Sequence, residues 1–467
     1  MAGRQSEITE TGAGAFPAAS GALPRTTDPF PPTVLDLDAP ATPVRRAPFS
    51  DNPTLGIRGL RTQQRILDAA LTVFDEHGYD RTALEQIAQV AGCSRASIYQ
   101  YFSGKEDVFR HLSGTVAHLL GASTTALDPV TADGAGLAAL RGWVDRYATV
   151  HTRYEPVFRG FTAAASTDPE LMGGAMAVAE RNIAIFLARI DGPALPPRAL
   201  ERVTRLLHAG IGRTFELASI LRSVAPEVYS HERVDAAVAA VMHRCLFGLD
   251  VDVNGAAGRG PRPPATRLGP EFRAIYDRWQ ALEREADQPG RRALASLLAA
   301  GDEVVVSNGY QGTRVDHVVA AASVSRGAFY RYFANIDDFV RVVALRAGAE
   351  ISAVVAQIPD GHDRAALRRW LRRYREVQSA NDAQISVFSE AIEVTLRDER
   401  AGVIDWGRRR MATLVAGRDF GDDDVDALVL LAMVSGFGSS IDETIDVEAA
   451  MIVVERGFLG RTNGGPP

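Results

Sequence analysis

The chain has 467 residues, of which 46% are hydrophobic, 23% charged and 7% aromatic. This composition is typical of a soluble globular protein, and the length exceeds that of a usual single domain, so we expect two or more domains. The formal net charge of −7 argues against indiscriminate coating of nucleic acid, although a local basic footprint remains compatible with it.

Two kinds of sequence pattern are missing, and this bears on the cellular compartment and on disulfide or metal chemistry. Cys93 and Cys245 are too few for a disulfide framework and lack metal-ligand spacing, so we expect both to be small buried residues. No uncharged apolar run of about 18 residues occurs, and the N-terminus lacks a basic segment followed by an apolar one. We therefore expect a cytoplasmic protein without a membrane span.

Residues 1–57 contain nine prolines and many small residues without sustained periodicity, which predicts a disordered tail. From Arg61 onwards, apolar residues recur at helical spacing until Gly78, which is suited to end a helix because glycine readily adopts left-handed backbone angles. Thr82 followed by Glu85 matches a capping box, which predicts a short second helix capped by Thr82.

A third and a fourth helix are predicted next. Ser94 can cap a short helix that ends at the break in residues 102–104. A longer helix then begins near Lys105 and is expected to reach about Leu120. The pattern predicts three short helices followed by one long helix.

The segment SRASIYQYF (residues 94–102) returns as SRGAFYRYF (residues 325–333), with five of nine residues identical and no gap. The surrounding pattern returns at the same separation of 231 residues, including Gly309 as a second helix-ending glycine and Thr313 as a second cap. A weaker similarity continues further along the chain, where Leu140, Trp143, Tyr147 and Val150 match Leu367, Trp370, Tyr374 and Val377. Internal duplication is the simplest explanation, and the absence of strict alternation predicts an all-α fold.

The duplicated segment has the arrangement of a helix-turn-helix, in which the second short helix lies in the major groove of DNA. Arg95 and Arg326 stand at the start of that helix, where a guanidinium can donate two hydrogen bonds to guanine. The N-terminus of the fourth helix near Lys105 adds backbone N–H donors and a positive charge. Hydroxyl groups that can donate to phosphates follow at Ser97, Tyr99 and Tyr101.

These features together resemble a known family. The first copy is similar to the N-terminal domain of tetracycline-repressor-type (TetR) transcription regulators over about 60 residues, and the resemblance recurs in the second copy. The resemblance implies two fused units, each a three-helix helix-turn-helix DNA-binding domain followed by a helical domain that binds a ligand and dimerises. The matching positions are Gly78-Tyr79, Thr82, Ile87-Ala88, Gly92, Tyr99, Tyr101-Phe102 and Lys105.

Carried over by position, the resemblance assigns DNA contacts to both copies. In the first copy they are Thr82, Arg95, Ala96, Ser97, Tyr99, Gln100, Tyr101 and Lys105, and in the second copy Thr313, Arg326, Gly327, Ala328, Tyr330, Arg331 and Tyr332. Ile336 stands where the first copy has Lys105, and Ala328 lacks the hydroxyl of Ser97. We therefore predict that the second copy binds DNA more weakly.

Several of these side chains have a structural alternative. Arg95 and Arg326 could be solvated arginines, and Lys105, the only lysine of the chain, a plain surface residue. Aromatic residues could instead pack the small core, and we expect this of the two phenylalanines but a DNA-facing hydroxyl for the two tyrosines. The aromatic residues concerned are Tyr99, Phe102, Tyr330 and Phe333.

With the resemblance, the chain divides into seven segments. They are a disordered tail (1–57), a first helix-turn-helix domain (58–120), a first ligand-binding and dimerisation domain (121–252), a linker rich in Gly and Pro (253–268), an extra helix (269–289), a second helix-turn-helix domain (290–346) and a second ligand-binding and dimerisation domain (347–460). We call the two helix-turn-helix domains the first and the second head. Each head with the helical domain that follows it is a unit.

The resemblance also places the dimerisation helices, which are residues 199–222 with 233–249 and residues 424–440 with 447–459. The two units are expected to pair with each other as a covalent pseudo-dimer, and whether two chains associate further stays open. Glycines would allow close helix approach at the centre of the bundle. These glycines are Gly210, Gly212, Gly436 and Gly438.

A paired reader of this kind contacts two half-sites of an operator that lie about one helical turn, or roughly 34 Å, apart, or at a multiple of that distance. Because the two heads are tethered in one chain, binding of the second head becomes intramolecular once the first has bound. This raises the effective concentration of the second head at its half-site. Gln100 against Arg331, and Ser97 against Ala328, predict an imperfect palindrome. Repression is the family's common mode, but the sequence does not distinguish it from activation.

A hydrophobic small-molecule effector is expected from the family, whereas no cofactor or metal is expected because the histidines lack metal-ligand spacing. Aromatic residues could line its pocket, although plain core packing is the alternative. They are Trp143, Tyr147, Phe158 and Phe161 in the first unit and Trp370, Tyr374 and Phe388 in the second.

Two other functional classes compete with this interpretation. An enzyme would need a phosphate loop, a nucleophile elbow, a zinc signature or paired carboxylates beside an acid-base group, and none of these patterns is found, so we expect no enzyme. A helical interaction protein with a degenerate second head is the other alternative, suggested by Ile336 and the acidic pair Asp337-Asp338.

Overall fold

The computed structural model describes residues 57–166, 168–248, 270–288, 290–381, 400–439 and 445–461. Within these ranges the regular elements are helices and none is a strand, which confirms the predicted all-α fold. The predicted tail up to residue 56, the predicted linker 253–268 and Phe388 lie outside the described residues. None of the helices in the described ranges combines the length and the apolar character needed to cross a membrane.

Nine helices form the described part of the first unit. They are α1 (Ile57–His77), α2 (Leu84–Val90), α3 (Arg95–Ile98), α4 (Lys105–Thr125), α5 (Gly134–Arg153), α6 (Glu155–Ser166), α7 (Pro169–Leu187), α8 (Pro197–Arg222) and α9 (His231–Phe247). Helices α1–α4 form the first head. Helix α4 continues five residues past its expected end, and Thr124 and Thr125 in this last turn donate to the carbonyls four residues earlier.

The second unit repeats this order after one additional helix. Its described helices are α10 (Pro270–Ala286), α11 (Arg292–Gly312), α12 (Val315–Ala321), α13 (Arg326–Tyr330), α14 (Ile336–Ala356), α15 (Arg364–Ala380), α16 (Arg400–Val415), α17 (Asp423–Ser439) and α18 (Val447–Ile452), which continues as a π-helical turn, Val453–Phe458. Helix α10 is the predicted extra helix, and Trp279 and Leu282 on it pack against the core of the second head, α11–α14.

Local sequence signals place the short helices of both heads. Gly78 follows α1 with a φ of +76°, as expected for a glycine that ends a helix. Ser94 Oγ accepts a hydrogen bond from the N–H of Ser97 at 3.1 Å, and Ser325 Oγ accepts one from the N–H of Ala328 at 3.2 Å. Both serines are therefore N-caps of the second helix-turn-helix helix, as predicted for Ser94.

Two expectations about helix ends were wrong. The N-cap of α2 is Ala83, whose N–H donates to Gln86 Oε1 at 2.7 Å, whereas the Thr82 hydroxyl turns back to donate to the Gly78 carbonyl at 2.7 Å. In the second head, α11 continues past Gly309 to Gly312, since a glycine inside a helix costs only about 1 kcal/mol relative to alanine. The N-cap of α12 is then Arg314 rather than Thr313.

A single apolar core joins the two units, and we call it the central core. Helix α8 of the first unit lies along α17 of the second, and α9 contacts the π-helical turn that follows α18. Residues of both units are fully or almost fully buried in the central core. They include Leu207, Ile211 and Met242 from the first unit and Leu428, Met433 and Phe458 from the second.

Only two of the four predicted glycines lie where the units meet. A Cβ on Gly210 would lie 3.1 Å from Met433 Cα, and a Cβ on Gly436 would lie 3.1 Å from the carbonyl carbon of Ala209. Gly212 and Gly438 instead make room for tyrosine rings inside their own units, which corrects the expectation. A Cβ would lie 3.1 Å from Tyr147 Oη in the first case and 2.7 Å from Tyr374 Cε1 in the second.

Buried charges also cross between the units. Arg244 Nη2 lies 3.2 Å from Asp426 Oδ2, and the two side chains are 2% and 1% exposed. Arg244 Nε donates to the carbonyl of Gly457 at 2.8 Å, and Arg418 Nη2 donates to the same carboxylate of Asp426 at 2.9 Å. Because a buried charge left without its partner is strongly unfavourable, these contacts tie α9 to α17 and to the π-helical turn after α18.

Candidate nucleic-acid interface

The reading helices α3 and α13 present side chains in the same order. In α3 and the residues after it, Arg95, Ala96, Tyr99 and Gln100 are exposed, whereas Ile98 and Phe102 are buried and Ser97 and Tyr101 are half-buried. In the second head, Arg326, Gly327, Tyr330 and Arg331 are exposed, Phe329 and Phe333 are buried, and Ala328 and Tyr332 are half-buried. The predicted DNA-contacting residues of these helices therefore share one face in each head.

The aromatic residues divide as expected between core and surface. Phe102 and Phe333 are each 1% exposed, so both pack the small cores of the heads. Tyr99 and Tyr330 are 44% and 56% exposed. Core packing is thus excluded for the two tyrosines, and their hydroxyls are available to a partner outside the protein.

Thr82 and Thr313 do not belong to this face. Thr82 is 4% exposed and Thr313 is 1% exposed. The Thr82 hydroxyl is held by the carbonyl of Gly78. Neither side chain reaches the surface from these positions, which corrects the expectation that they contact DNA.

Lys105 has an internal role that the sequence did not indicate. Its ammonium donates to the carbonyls of Tyr79 at 3.0 Å and Asp80 at 2.9 Å, and it lies 4.7 Å from the centre of the Tyr79 ring. These contacts fasten the turn between α1 and α2 to the start of α4. An ammonium has three N–H donors, so the predicted phosphate contact would have to use the third.

The second head has Ile336 in place of this lysine and receives a different contact, from outside the repeat. Arg278 on α10 donates to the carbonyl of Tyr332 at 2.8 Å and to Asp338 Oδ2 at 2.7 Å. Asp338 also accepts a hydrogen bond from the N–H of Ala334 at 2.8 Å. Helix α10 thus brings a positive charge to the junction between α13 and α14.

At the equivalent position of the first head, Asp107 is paired with a histidine. Its carboxylate accepts from the N–H of Ser103 at 2.9 Å and lies 3.2 Å from Nδ1 of His111. Burial opposes the charge of both side chains, but their mutual hydrogen bond raises the pKa of His111 and lowers the pKa of Asp107. The equivalent carboxylates Asp107 and Asp338 are therefore paired with a histidine in the first head and with an arginine in the second.

An acidic residue on the helix before each reading helix was missed. Glu85 Oε1 lies 3.0 Å from Arg95 Nη2, and Asp316 accepts two hydrogen bonds from Arg326, at 2.7 Å from Nε and 2.5 Å from Nη2. Glu85 and Asp316 are separated by the same 231 residues as the repeat. That spacing was a signal in the sequence that could have identified the pair.

Ion pairs and close packing hold the first head against the helices behind it. Arg159 on α6 donates to Asp75 of α1 at 2.5 Å, and Arg110 on α4 donates to Asp168 at 2.5 Å. Asp168 also caps α7 by accepting from the N–H of Leu171. A displacement of α6 or α7 would consequently be transmitted to the first head.

Three of the four predicted pocket residues of the first unit come together in an aromatic cluster. The Trp143 ring centre lies 5.9 Å from that of Tyr147, which lies 6.4 Å from that of Phe158. Phe161 packs instead against the core of the first head. The cluster is completed by four rings that the sequence analysis did not assign, which are His151, Phe186, His208 and Phe215.

His208 supplies a polar atom inside this aromatic cluster. Its Nδ1 lies 2.9 Å from the carbonyl of Thr204, while Nε2 is buried without a hydrogen-bond partner. Burial lowers the pKa of His208 to about 4, so its ring is neutral at physiological pH. If Nδ1 carries the proton, Nε2 presents an unused acceptor between Trp143 and Phe186.

The corresponding residues of the second unit are also buried. Trp370 Nε1 donates to the carbonyl of Val354 at 2.8 Å, and the Tyr374 ring lies against Gly438 and Gln378. Both aromatic residues belong to the central core, as does Trp143 of the first unit. In the part of the chain that the structure describes, no group of His, Cys, Asp and Glu is suited to hold a metal ion.

Comparison with known proteins identifies the repeated heads. The family described as "Bacterial regulatory proteins, tetR family" matches residues 66–112 and 297–343. The chain is 42% identical over 59 residues to the HTH-type transcriptional regulator SrpR of Pseudomonas putida, which is 13% of this chain and 28% of that protein. It is 43% identical over 51 residues to AcrR of Shigella flexneri, which is 11% of this chain and 24% of that protein.

A longer but weaker match reaches the helices behind the head. The HTH-type transcriptional regulator RutR of Escherichia coli is 28% identical over 183 residues, which is 37% of this chain and 85% of that protein. The more similar matches, to SrpR and AcrR, span only about a quarter of those relatives' lengths. Each repeat therefore contains one domain that matches the tetR family of bacterial regulatory proteins.

Proposed function

We propose that this chain is a sequence-specific DNA-binding transcription regulator and that it works as a ligand-responsive repressor. The observation that carries the proposal is the equal exposure of both reading helices, with an arginine and a tyrosine facing solvent at matching positions. Guanidinium groups read guanine in the major groove, and tyrosine hydroxyls donate to phosphates. A repressor with this face would block polymerase by occupying its operator.

The two heads would act together as a single-chain pseudo-dimer. The support for this is the central core, in which α8 and α9 pack against α17 and the end of α18 as two subunits of a dimer would. Such a core fixes the distance between the heads, which must match the helical repeat of DNA. The covalent tether raises the effective concentration of the second head once the first has bound.

The half-sites would be unequal. Gln100 is exposed at the end of α3, and Arg331 is exposed at the matching position of the second head. Glutamine pairs with adenine and arginine with guanine. The second head lacks the lysine charge at Ile336, so its half-site would contribute less electrostatic affinity.

The effector would be hydrophobic and would enter the aromatic cluster of the first unit, beside the free Nε2 acceptor of His208. Spreading of α5 and α8 by a ligand would displace α6. Helix α6 carries Arg159, which is bound to Asp75 in the first head. A change in head spacing would then lower operator affinity, because the ligand and DNA prefer different arrangements of the heads.

The DNA-binding proposal is tested by selecting duplexes from a random library with the full chain at physiological salt. We expect two unequal half-sites about one helical turn, or a multiple of it, apart. Light scattering of the selected complex should give one chain per site. Unselective binding would contradict the DNA-reading function, and two chains on a symmetric site would contradict the pseudo-dimer.

The ligand response is tested by screening apolar compounds for a rise in the melting temperature of the chain. Compounds that bind the aromatic cluster should also release the selected duplex, and His208→Phe should weaken those that carry a hydrogen-bond donor. That variant keeps an aromatic ring at this position but removes the acceptor. Compounds that stabilise the chain and leave DNA binding unchanged would contradict the proposal.

A second candidate function is a helical interaction protein whose second head no longer binds DNA. The observation in its favour is Ile336, which stands where the first head has Lys105. This candidate predicts that Arg326→Ala leaves the affinity for the selected duplex unchanged. A loss of affinity in that variant would favour the proposed regulator.

A further inference from the structure

The arginine that begins each reading helix, Arg95 or Arg326, is engaged by a carboxylate from the preceding helix. Asp316 on α12 accepts from Arg326 Nε at 2.7 Å and from Nη2 at 2.5 Å, so one whole edge of the guanidinium is occupied. Glu85 on α2 reaches Arg95 only through Nη2, at 3.0 Å. The two pairs stand at equivalent positions of the repeat but differ in how firmly they fix the arginine.

The free edge of Arg326 has the geometry that guanine requires. A guanidinium carries five N–H donors in a planar fork. With Nε and one N–H of Nη2 directed at Asp316, both N–H groups of Nη1 and the other N–H of Nη2 remain. Of these three, one N–H of Nη1 and the N–H of Nη2 lie side by side and can point end-on at guanine O6 and N7.

These pairs contribute little to the stability of the fold. The side chains of Arg326 and Asp316 are 65% and 61% exposed, and those of Arg95 and Glu85 are 71% and 46% exposed. Ion pairs this exposed stabilise folded proteins very little. A carboxylate on the DNA-facing surface is moreover repelled by phosphates, so Asp316 weakens binding to DNA in general.

We propose that Asp316 is a specificity-determining residue. It holds Arg326 through Nε and one N–H of Nη2, so that the remaining edge of the guanidinium faces guanine and binds every other base at that position less tightly. A base without the two guanine acceptors leaves the guanidinium unpaired on its free edge. The carboxylate prevents Arg326 from turning to a phosphate instead. Glu85 acts in the same way on Arg95, but its single contact leaves that arginine free to adapt.

The inference rests on the proposed DNA-binding function and makes the second head the stricter reader. The first head would supply affinity through Lys105 and an adaptable Arg95. The second head, which has Ile336 in place of the lysine, would supply discrimination through Arg326 and Asp316. An unequal operator would then carry its most strictly required guanine in the half-site under the second head.

The experiment compares Asp316→Asn, Asp316→Glu and Glu85→Gln with the wild-type full chain. Arg326→Ala first identifies the guanine that Arg326 reads, as the position whose replacement no longer matters in that variant. Each protein is then titrated with the selected duplex and with the duplex in which this guanine is adenine. All three substituted residues have exposed side chains, and melting curves should confirm unchanged folds.

We expect the wild type to prefer guanine by about tenfold or more, since a good bidentate contact discriminates by ~1–3 kcal/mol. Asp316→Asn should reduce this preference to about two- or threefold and tighten binding to the adenine duplex, because a repulsive charge is removed. Asp316→Glu should restore most of the preference. Glu85→Gln should change discrimination less, and only in the other half-site.

Two outcomes separate the inference from the function beneath it. A wild-type chain without any preferred duplex would overturn both proposals. A selective wild type whose Asp316→Asn variant keeps the full guanine preference would overturn this inference alone. The same holds if Asp316→Asn weakens both duplexes equally, because Asp316 would then act on affinity rather than on base choice.

Discussion

Gly210 of α8 lies directly against Met433 of α17, where a Cβ would come within 3.1 Å of Met433 Cα and overlap its sulfur. We predict that Gly210→Val separates the two helices, because its methyl groups would meet the backbone of the other unit. Overpacking of this kind costs about 1–3 kcal/mol. Chemical unfolding of the full chain should show this loss, and affinity for the selected duplex should fall with it.

Gly173→Val is the matched control for this substitution. Gly173 lies within α7, and a Cβ there would meet nothing within 4 Å. We expect it to leave stability unchanged or slightly increased, because valine is a better helix former than glycine. Equal destabilisation by the two substitutions would mean that the close contact between α8 and α17 does not depend on the glycine at position 210.

Asp235 on α9 is predicted to destabilise the protein above neutral pH. The residue is 8% exposed, and its Oδ1 has no hydrogen-bond partner. Burial, and secondarily the charge of Asp145, raise the pKa of Asp235 to about 7. Because the unfolded carboxyl titrates near pH 4, the folded state loses stability as the pH rises from about 4 through 7.

Asp235→Asn should therefore stabilise the chain at pH 8 by about 2–4 kcal/mol, which is the linkage value for a shift of this size. The gain should shrink steadily as the pH is lowered towards 4. Urea unfolding at several pH values measures it. Asp191→Asn, at an exposed position, is the control, and a gain for Asp235→Asn that does not vary with pH would contradict the explanation.

The fold was predictable where the signal was local. Ser94 and Ser325 cap their helices and Gly78 ends one, because each acts on backbone groups within four residues. The side of α8 that Gly212 faces was not predictable, since it depends on how α5 and α17 are placed around that helix. Both Gly210 and Gly212 fit the pattern expected for close helix packing. Only the structure shows that Gly210 contacts the other unit, whereas Gly212 contacts Tyr147 of its own unit.

In the candidate site, too, some features could be predicted from the sequence and others could not. The exposed arginines and tyrosines of the reading helices followed from the repeat and the resemblance. The partner of Lys105 is a turn about 25 residues earlier in the chain, and Arg278 reaches Asp338 from a helix outside the repeat. No spacing rule links such residues, so their contacts required the three-dimensional arrangement.

The pairing of His111 with Asp107 predicts a pH-dependent contribution to the stability of the first head. Burial disfavours the imidazolium, but the hydrogen bond to Asp107 prevails and raises the pKa of His111. A raised folded-state pKa stabilises fully below the unfolded value of about 6.5, and this stability is lost as the pH rises through the folded value. His111→Gln should thus cost about 1–2 kcal/mol at pH 6 and less at pH 9.

Unfolding followed by a separate probe in each head would measure this difference. Val342, the equivalent residue in the second head, offers the control, because Val342→Ala should cost the same at both pH values. If His111→Gln were equally destabilising at pH 6 and pH 9, the imidazolium charge would have no part in the pair.

Lys105 is predicted to serve both the fold of the first head and its contact with DNA. Lys105→Met keeps the aliphatic stem but removes the hydrogen bonds to the carbonyls of Tyr79 and Asp80. We expect a loss of about 1–2 kcal/mol in the free energy of unfolding. If the third N–H binds a phosphate, the slope of log affinity against log salt should also fall by about one unit.

Ile336→Lys is the complementary variant. It places an ammonium at the equivalent position of the second head and should raise the salt slope by about one unit. A changed stability with an unchanged slope in Lys105→Met would restrict that lysine to its structural contacts with the turn.

Arg278 is predicted to support the second head from outside it. Its guanidinium binds Asp338 and the carbonyl of Tyr332 at the end of the reading helix, and its side chain is 41% exposed. Arg278→Ala leaves both acceptors without this partner, so we expect a loss of about 1 kcal/mol in the stability of the second head. Discrimination at the half-site under that head should also decrease, because the end of α13 is less firmly held.

Arg284→Ala provides the control on the same helix. Arg284 is exposed, and its Nε donates to a carbonyl within α10 at 3.2 Å. Both variants remove one positive charge, so a non-specific electrostatic effect would lower DNA affinity equally in the two. A larger loss of affinity for Arg278→Ala that is confined to one half-site would show that α10 acts through the second head. Equal losses for the two variants would mean that α10 affects DNA binding only through its positive charge.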